Sequence, residues 1–126
     1  MIKNAKEAFE NPTAEYIAKT IRVKGEDKLL TIQNPYTDAE AKTWDQQLAE
    51  ATAFLADNNA ATPLITAMAT ARSIAKAELV TKIMGNANAF RGAAGIILGQ
   101  QQKFLDDLKA ATQEQYKDLL NIIISW

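Results

Sequence analysis

Carboxylates, lysines and tyrosines are the side chains through which this chain could do chemistry. It holds 15 Asp and Glu, 14 Lys and Arg and 3 Tyr, but no cysteine and no histidine. Without histidine the usual general base near neutral pH is missing, as are the usual metal imidazole and every triad built on one. Without cysteine there is no thiolate nucleophile, no zinc thiolate and no disulfide framework, and the redox compartment has no marker. Carboxylate pairs, lysine or tyrosine remain. They are scattered along stretches that also carry lysines and form no constellation, so the sequence predicts a protein that is not an enzyme and takes no metal or cofactor.

The charge balance points the same way. A net charge of −1 leaves no electrostatic footprint for nucleic acid or an anionic membrane surface. The opening "MIKNAKEAFENP" has no apolar core of a secretory signal. The longest apolar run, "AAGIIL", is far too short to span a bilayer. The expected location is the cytoplasm, or a particle assembled there. At 126 residues the chain is one ordinary domain, able to bury roughly two thirds of its unfolded surface without staples.

The elements that must carry any function divide at about residue 36. In "YIAKTIRVKGEDKLLTIQNPY", Ile21 and Val23 precede a polar centre around Gly25, and Leu30 and Ile32 follow it. Such alternation around a glycine predicts a small N-terminal β-hairpin that must pack on helices or on another chain. A short helix around Ala5 to Phe9 stops before Pro12. The expected organisation is an N-terminal segment, 1–36, and a helical domain, 37–126, folding together as one unit.

From Thr37 onward the pattern is helical. Thr37 with Glu40 is a capping box, and Ala41, Trp44, Leu48, Ala51 and Leu55 follow at steps of three and four. Thr62 caps a second helix with Pro63 at its first position. A third runs from about 76 to 111 along a seam that includes Val80, Ile83, Phe90, Ile97, Gln101, Phe104 and Leu108, long enough to face a partner for roughly 50 Å. Thr112 with Gln115 caps a last helix. The fold class so read is mainly α, a three- to four-helix bundle with one long helix and a small hairpin.

Four features invite a functional reading. Trp44 lies on the stripe of Leu48 and Leu55, which predicts core more readily than a partner anchor. Gly85, Gly92 and Gly99 fall seven apart on the face opposite the seam, with Gly95 beside them. Each interior glycine costs about 1 kcal/mol against alanine, so the row implies either close approach of a second backbone or a kink at "RGAAG". Gln101 interrupts the apolar seam, where a side chain reaching the hydrated edge is the simpler reading. Ile122, Ile123, Ile124 and Trp126 cannot all face one helix, so Ile122, Ile124 and Trp126 either fold back on the hairpin or dock into another subunit. Gly85, Gly92, Gly99, Ile122, Ile124 and Trp126 are the candidate partner-binding residues.

The order "PYTDAEAKTWDQQLAEATAFLAD", "TPLITAMATARSIAKAELVTKIMGNANAF" and "AGIILGQQQKFLDDLKAA" resembles a helical segment of bacteriophage tail fibre and tail fibre assembly proteins. The resemblance spans residues 35–111, and its motifs are specific in their order more than in any single piece. Trp44, Pro63, Leu64 and Gln101 match the pattern by position. The departure is that relatives place a longer, fibre-associated region before this segment, where about 36 residues stand here. The resemblance implies a tail or tail-fibre protein acting in fibre folding, assembly or attachment, with other tail proteins or copies of itself as partners. Its place would be the host cytoplasm during assembly or the virion tail. The alternative is a helical binding module or regulator of the bacterial cytoplasm.

The missing catalytic and ligating side chains predict that chelators leave Tm unchanged. Chelator-induced unfolding, or turnover abolished by one acidic substitution, refutes that reading.

Overall fold

A threonine starts the first long element. Thr13 Oγ1 accepts from the backbone N–H of Tyr16 at 3.1 Å, and the Thr13 carbonyl accepts from Ile17 N at 3.0 Å, so Thr13 caps a helix rather than leading into a strand. The computed structural model describes residues 5–126, and helices joined by short turns and loops make up their structure. The helices are α1 (Ala5–Glu10), α2 (Ala14–Gln33), α3 (Asp38–Ala41), α4 (Trp44–Ala56), α5 (Pro63–Arg72), α6 (Lys76–Ala110) and α7 (Tyr116–Ser125). A 3-10 turn, Gln113–Gln115, leads into α7.

The expected β-hairpin is therefore wrong, and with it the simple three- to four-helix bundle. Among the described residues there is no strand, and the whole hairpin segment lies within the 20 residues of α2. Ile17, Ile21 and Gly25, four apart, are the buried stripe of this helix. The glycine read as a turn sits mid-helix, all its dihedrals right-handed. Pro35 provides the stop, because the residue before a proline is pushed out of the α region.

The described chain forms two compact units. One comprises the described residues up to Ile32 together with Ala94–Trp126. Its core is Ile17 and Ile21 of α2, Leu108 of α6, and Leu119, Leu120 and Ile123 of α7, flanked by Tyr16, Phe104, Leu105, Tyr116 and Trp126. Burying each fully enclosed Ile or Leu is worth about 1.5–3 kcal/mol, enough to hold α7 against α2.

The other unit is Gln33–Ala93. Thr37 caps α3 through Glu40 N at 3.1 Å, as the capping box requires. α3 then ends at Ala41 and α4 begins at Trp44, where a single helix from Thr37 was expected. Thr43 Oγ1 at the joint donates to the Glu40 carbonyl at 2.8 Å and accepts from Gln47 Nε2 at 2.8 Å. The core is Ala51, Ile65, Ala69, Leu79, Val80 and Ile83, with Phe54, Met68, Ile74 and Met84 against it. Leu55, placed on the apolar stripe by spacing, is 62% exposed.

Two polar devices shape the α4–α5–α6 corner. Glu50 is 4% exposed, yet its carboxylate is fully engaged: Oε1 accepts from the backbone N–H of Ile65 at 3.0 Å and Oε2 from Gln46 Nε2 at 2.6 Å. A side chain 15 residues upstream thus serves an orphan donor at the start of α5, near the helix end that favours negative charge. Thr62 instead turns its Oγ1 to Lys76 Nζ, at 3.0 Å, and to Thr66. At the other end of α5, Ser73 is left-handed at φ 57°, ψ 42°, with Ser73 N bonded to Thr70 O and Ile74 N to Ala69 O, both at 3.1 Å. This is a Schellman cap, and it turns Ile74 onto the core beside Ala69.

Glu50→Ala should cost about 1.5–3 kcal/mol, the range for hydrogen bonds to a charged group, and leave Ile65 N unsatisfied. Glu50→Gln, which keeps an acceptor, should cost less. Chemical denaturation decides; a loss below about 0.5 kcal/mol for the alanine variant would mean that the cap is replaced by solvent.

Candidate interaction surface

The glycine row lies on the open face of α6. The helix is unbroken through residues 85–99. A Cβ built at Gly85, Gly92, Gly95 or Gly99 meets nothing within 4 Å. All four are exposed, and Ala89 and Ile96 join them at helical spacing.

The close approach falls on a different glycine. A Cβ at Gly25 would run into Gln101 Oε1 and lie 3.0 Å from Gln101 Cδ and 3.5 Å from the Trp126 ring. Gln101, the polar interruption of the seam, is half-buried against the α2 backbone instead of reaching open water. Sequence reading assigned Gly25 to a turn and missed this. The signal was present in the spacing Ile17, Ile21, Gly25, which places the glycine on the buried stripe.

The end of α7 divides as its spacing requires. Ile123 is fully enclosed, while Ile122 is 59% and Ile124 40% exposed on its flanks. Trp126 is drawn into its own unit: its Nε1 donates to Gln100 Oε1 at 2.7 Å, and its ring lies 5.2 Å from that of Phe104. Lys28 Nζ stands 5.3 Å over the Trp126 ring, and Lys24 Nζ donates to the Ile124 carbonyl at 2.8 Å. Of the residues read as partner-binding, Ile122 and Ile124 present apolar surface, Gly85, Gly92 and Gly99 present bare backbone, and Trp126 is held by α2 and α6.

In the unit 33–93, Trp44 is half-buried between two aromatic edges, Tyr36 and Phe90, each with ring centroids 5.1 Å away. Each such pair is worth about 0.5–1.5 kcal/mol beyond burial. The tryptophan is thus a packing residue at the margin of the core, with Tyr36 largely exposed beside it.

Among the described residues no group of three acidic side chains is placed to hold a metal ion. A shallow cleft of about 440 Å³ between Glu10, Thr13, Gln113, Glu114, Tyr116 and Lys117 mixes both charges. Among the described residues no helix is long and apolar enough to cross a membrane.

A family model described as the HI1402 helical domain matches residues 85–126, a third of the chain. The matched stretch takes in the glycine row, the end of α6 and all of α7. No curated protein and no solved structure matches the chain.

The two kinds of glycine predict opposite responses. Gly92→Ala should stabilise the free protein by up to about 1 kcal/mol, because alanine is the better helix former and restricts the unfolded chain. Gly25→Ala should lack that gain, since its methyl displaces Gln101, and the gain should return in Gly25→Ala/Gln101→Ala. Equal stabilisation at both positions, measured by chemical denaturation, would refute the close approach at Gly25.

Proposed function

We propose that this protein is a non-enzymatic bacteriophage tail or tail-fibre protein that acts by binding other tail proteins during fibre folding, assembly or attachment. The observation that carries the binding part of this reading is the exposure of Ile122 and Ile124, two aliphatic side chains on either flank of the enclosed Ile123. Neither side chain is needed by the core, and exposed apolar surface flanking a rigid element is the usual mark of an interaction site. The order of motifs over residues 35–111 supports the tail-fibre assignment, and the lack of histidine and cysteine supports a role in binding.

The test is co-expression with tail and tail-fibre proteins encoded beside this one, then pull-down and mass measurement. A stoichiometric complex with a fibre protein is expected. Ile122→Asp/Ile124→Asp should weaken it at least about tenfold, or 1.4 kcal/mol, while the stability of the free protein stays within about 0.5 kcal/mol. A genomic neighbourhood without tail genes, or no complex with any of their products, favours the cellular helical module instead.

A further inference from the structure

The corner between α6 and α7 lacks the usual helix stops. The run "LKAATQEQYK" holds no glycine or proline, and none occurs after Gly99. Nor does the corner use left-handed backbone, since Ser73 is the one described non-glycine with positive φ. Thr112 is extended, at φ −82°, ψ 162°. The residues after it are already right-handed helical: Gln115 at φ −88°, ψ −11° and Tyr116 at φ −60°, ψ −41°. What holds the bend is the capping box between Thr112 and Gln115, in which Gln115 Oε1 accepts from the Thr112 N–H at 2.9 Å, together with a backbone bond from Gln115 N to the Thr112 carbonyl at 2.9 Å. Turning Thr112 into the α region lets α6 run on into α7 as one helix.

A straightened chain cannot stand alone. Leu119, Leu120 and Ile123 would enter water, and the groove made by Ile17, Ile21 and Leu108 would be left empty. The only segment shaped for that groove is α7 itself, supplied by a second copy. Exchange preserves the contacts of α7 with α2 and α6, including Trp126 on Gln100 and Phe104 and Lys24 on the Ile124 carbonyl, and gives up only those with the hinge turn; reciprocity closes the pair as a two-fold dimer. We propose that the Thr112 corner is a hinge through which two copies of this chain exchange α7. Three of the other breaks do not allow this: Pro35 and Pro63 stand at two of them, and the Schellman cap at Ser73 fixes a third.

Two variants push the hinge in opposite directions. Thr112→Ala/Gln115→Ala removes the capping box and inserts the best helix formers; removing a cap from each of two chains should shift the monomer–dimer constant at least about tenfold toward dimer. Gln113→Pro keeps the bend, because proline suits the first helical position and holds the preceding residue extended. It should remain monomeric. To show that the dimer is exchanged, Lys24→Cys and Ile124→Cys are placed on separate chains, mixed, refolded at high concentration and treated with a short thiol cross-linker. The cross-linked pair is expected with the native hinge and with the alanine hinge, and not with Gln113→Pro. Monomer at every concentration for both the native and alanine hinges overturns the proposal, as does a dimer that fails to cross-link or that Gln113→Pro does not suppress.

Discussion

The long helix α6 depends on burial of its seam, and everything else follows from where that seam is covered. Thirty-five residues with four interior glycines form a poor helix in isolation; the glycines alone cost about 4 kcal/mol against alanine. Leu79, Val80 and Ile83 are enclosed by α4 and α5, and Leu108 with half-buried Phe104 and Leu105 by α2 and α7. At about 1.5–3 kcal/mol for each fully buried aliphatic side chain, these contacts exceed the glycine penalty. Between them Phe90 packs edge-on against Trp44, while the glycine positions of the same helix face open space.

The parts of this fold that sequence made legible are those whose signals are local. Thr62 followed by Pro63, the seam of α6 and the Thr112–Gln115 box each declare a boundary within a few residues, and α5, α6 and α7 begin and end close to those signals. The parts it hid depend on residues far apart. Gly25 flanked by Lys24, Glu26 and Asp27 has the composition of a turn, and only Gln101 pressed on it, 76 positions later, explains why a helix keeps a glycine there. The hairpin reading weighed Ile21 with Val23 at a spacing of two. The decisive pair was Ile17 with Ile21, because both are fully enclosed while Val23 is exposed. The candidate surface is legible to the same degree: consecutive isoleucines must diverge around a helix, but nothing local says which of them the core will take.

Glu50 illustrates the cost and use of a buried charge. Desolvating a carboxylate is expensive unless its lone pairs are filled, and here two donors, Ile65 N and Gln46 Nε2, converge on its two oxygens. In return it fixes the start of α5 relative to α4, a geometry that apolar contacts among Ala51, Ile65 and Ala69 would leave free to slide. Lys76 does the corresponding work between α5 and α6, its ammonium on Thr62 and 5.5 Å over the Phe54 ring. Each inter-helix corner of this unit therefore has one polar contact that sets register and an apolar cluster that supplies stability.

The last turn of α7 follows the same division, and it explains how the chain tolerates two exposed isoleucines. Helix ends leave carbonyls without partners, and Lys24 satisfies that of Ile124 while Trp126 N bonds to Ile123 O at 3.0 Å. The Trp126 ring is then fixed by Gln100, Phe104 and Lys28, so the end of the helix is secured at its rim by polar and aromatic contacts. Ile123 alone is enough to complete the core beneath it. Ile122 and Ile124 could be polar without loss to the fold, and an apolar choice at two such positions brings a liability in solubility with no gain in folding. That asymmetry between what the fold requires and what the sequence supplies supports the proposal that this helix carries a binding surface.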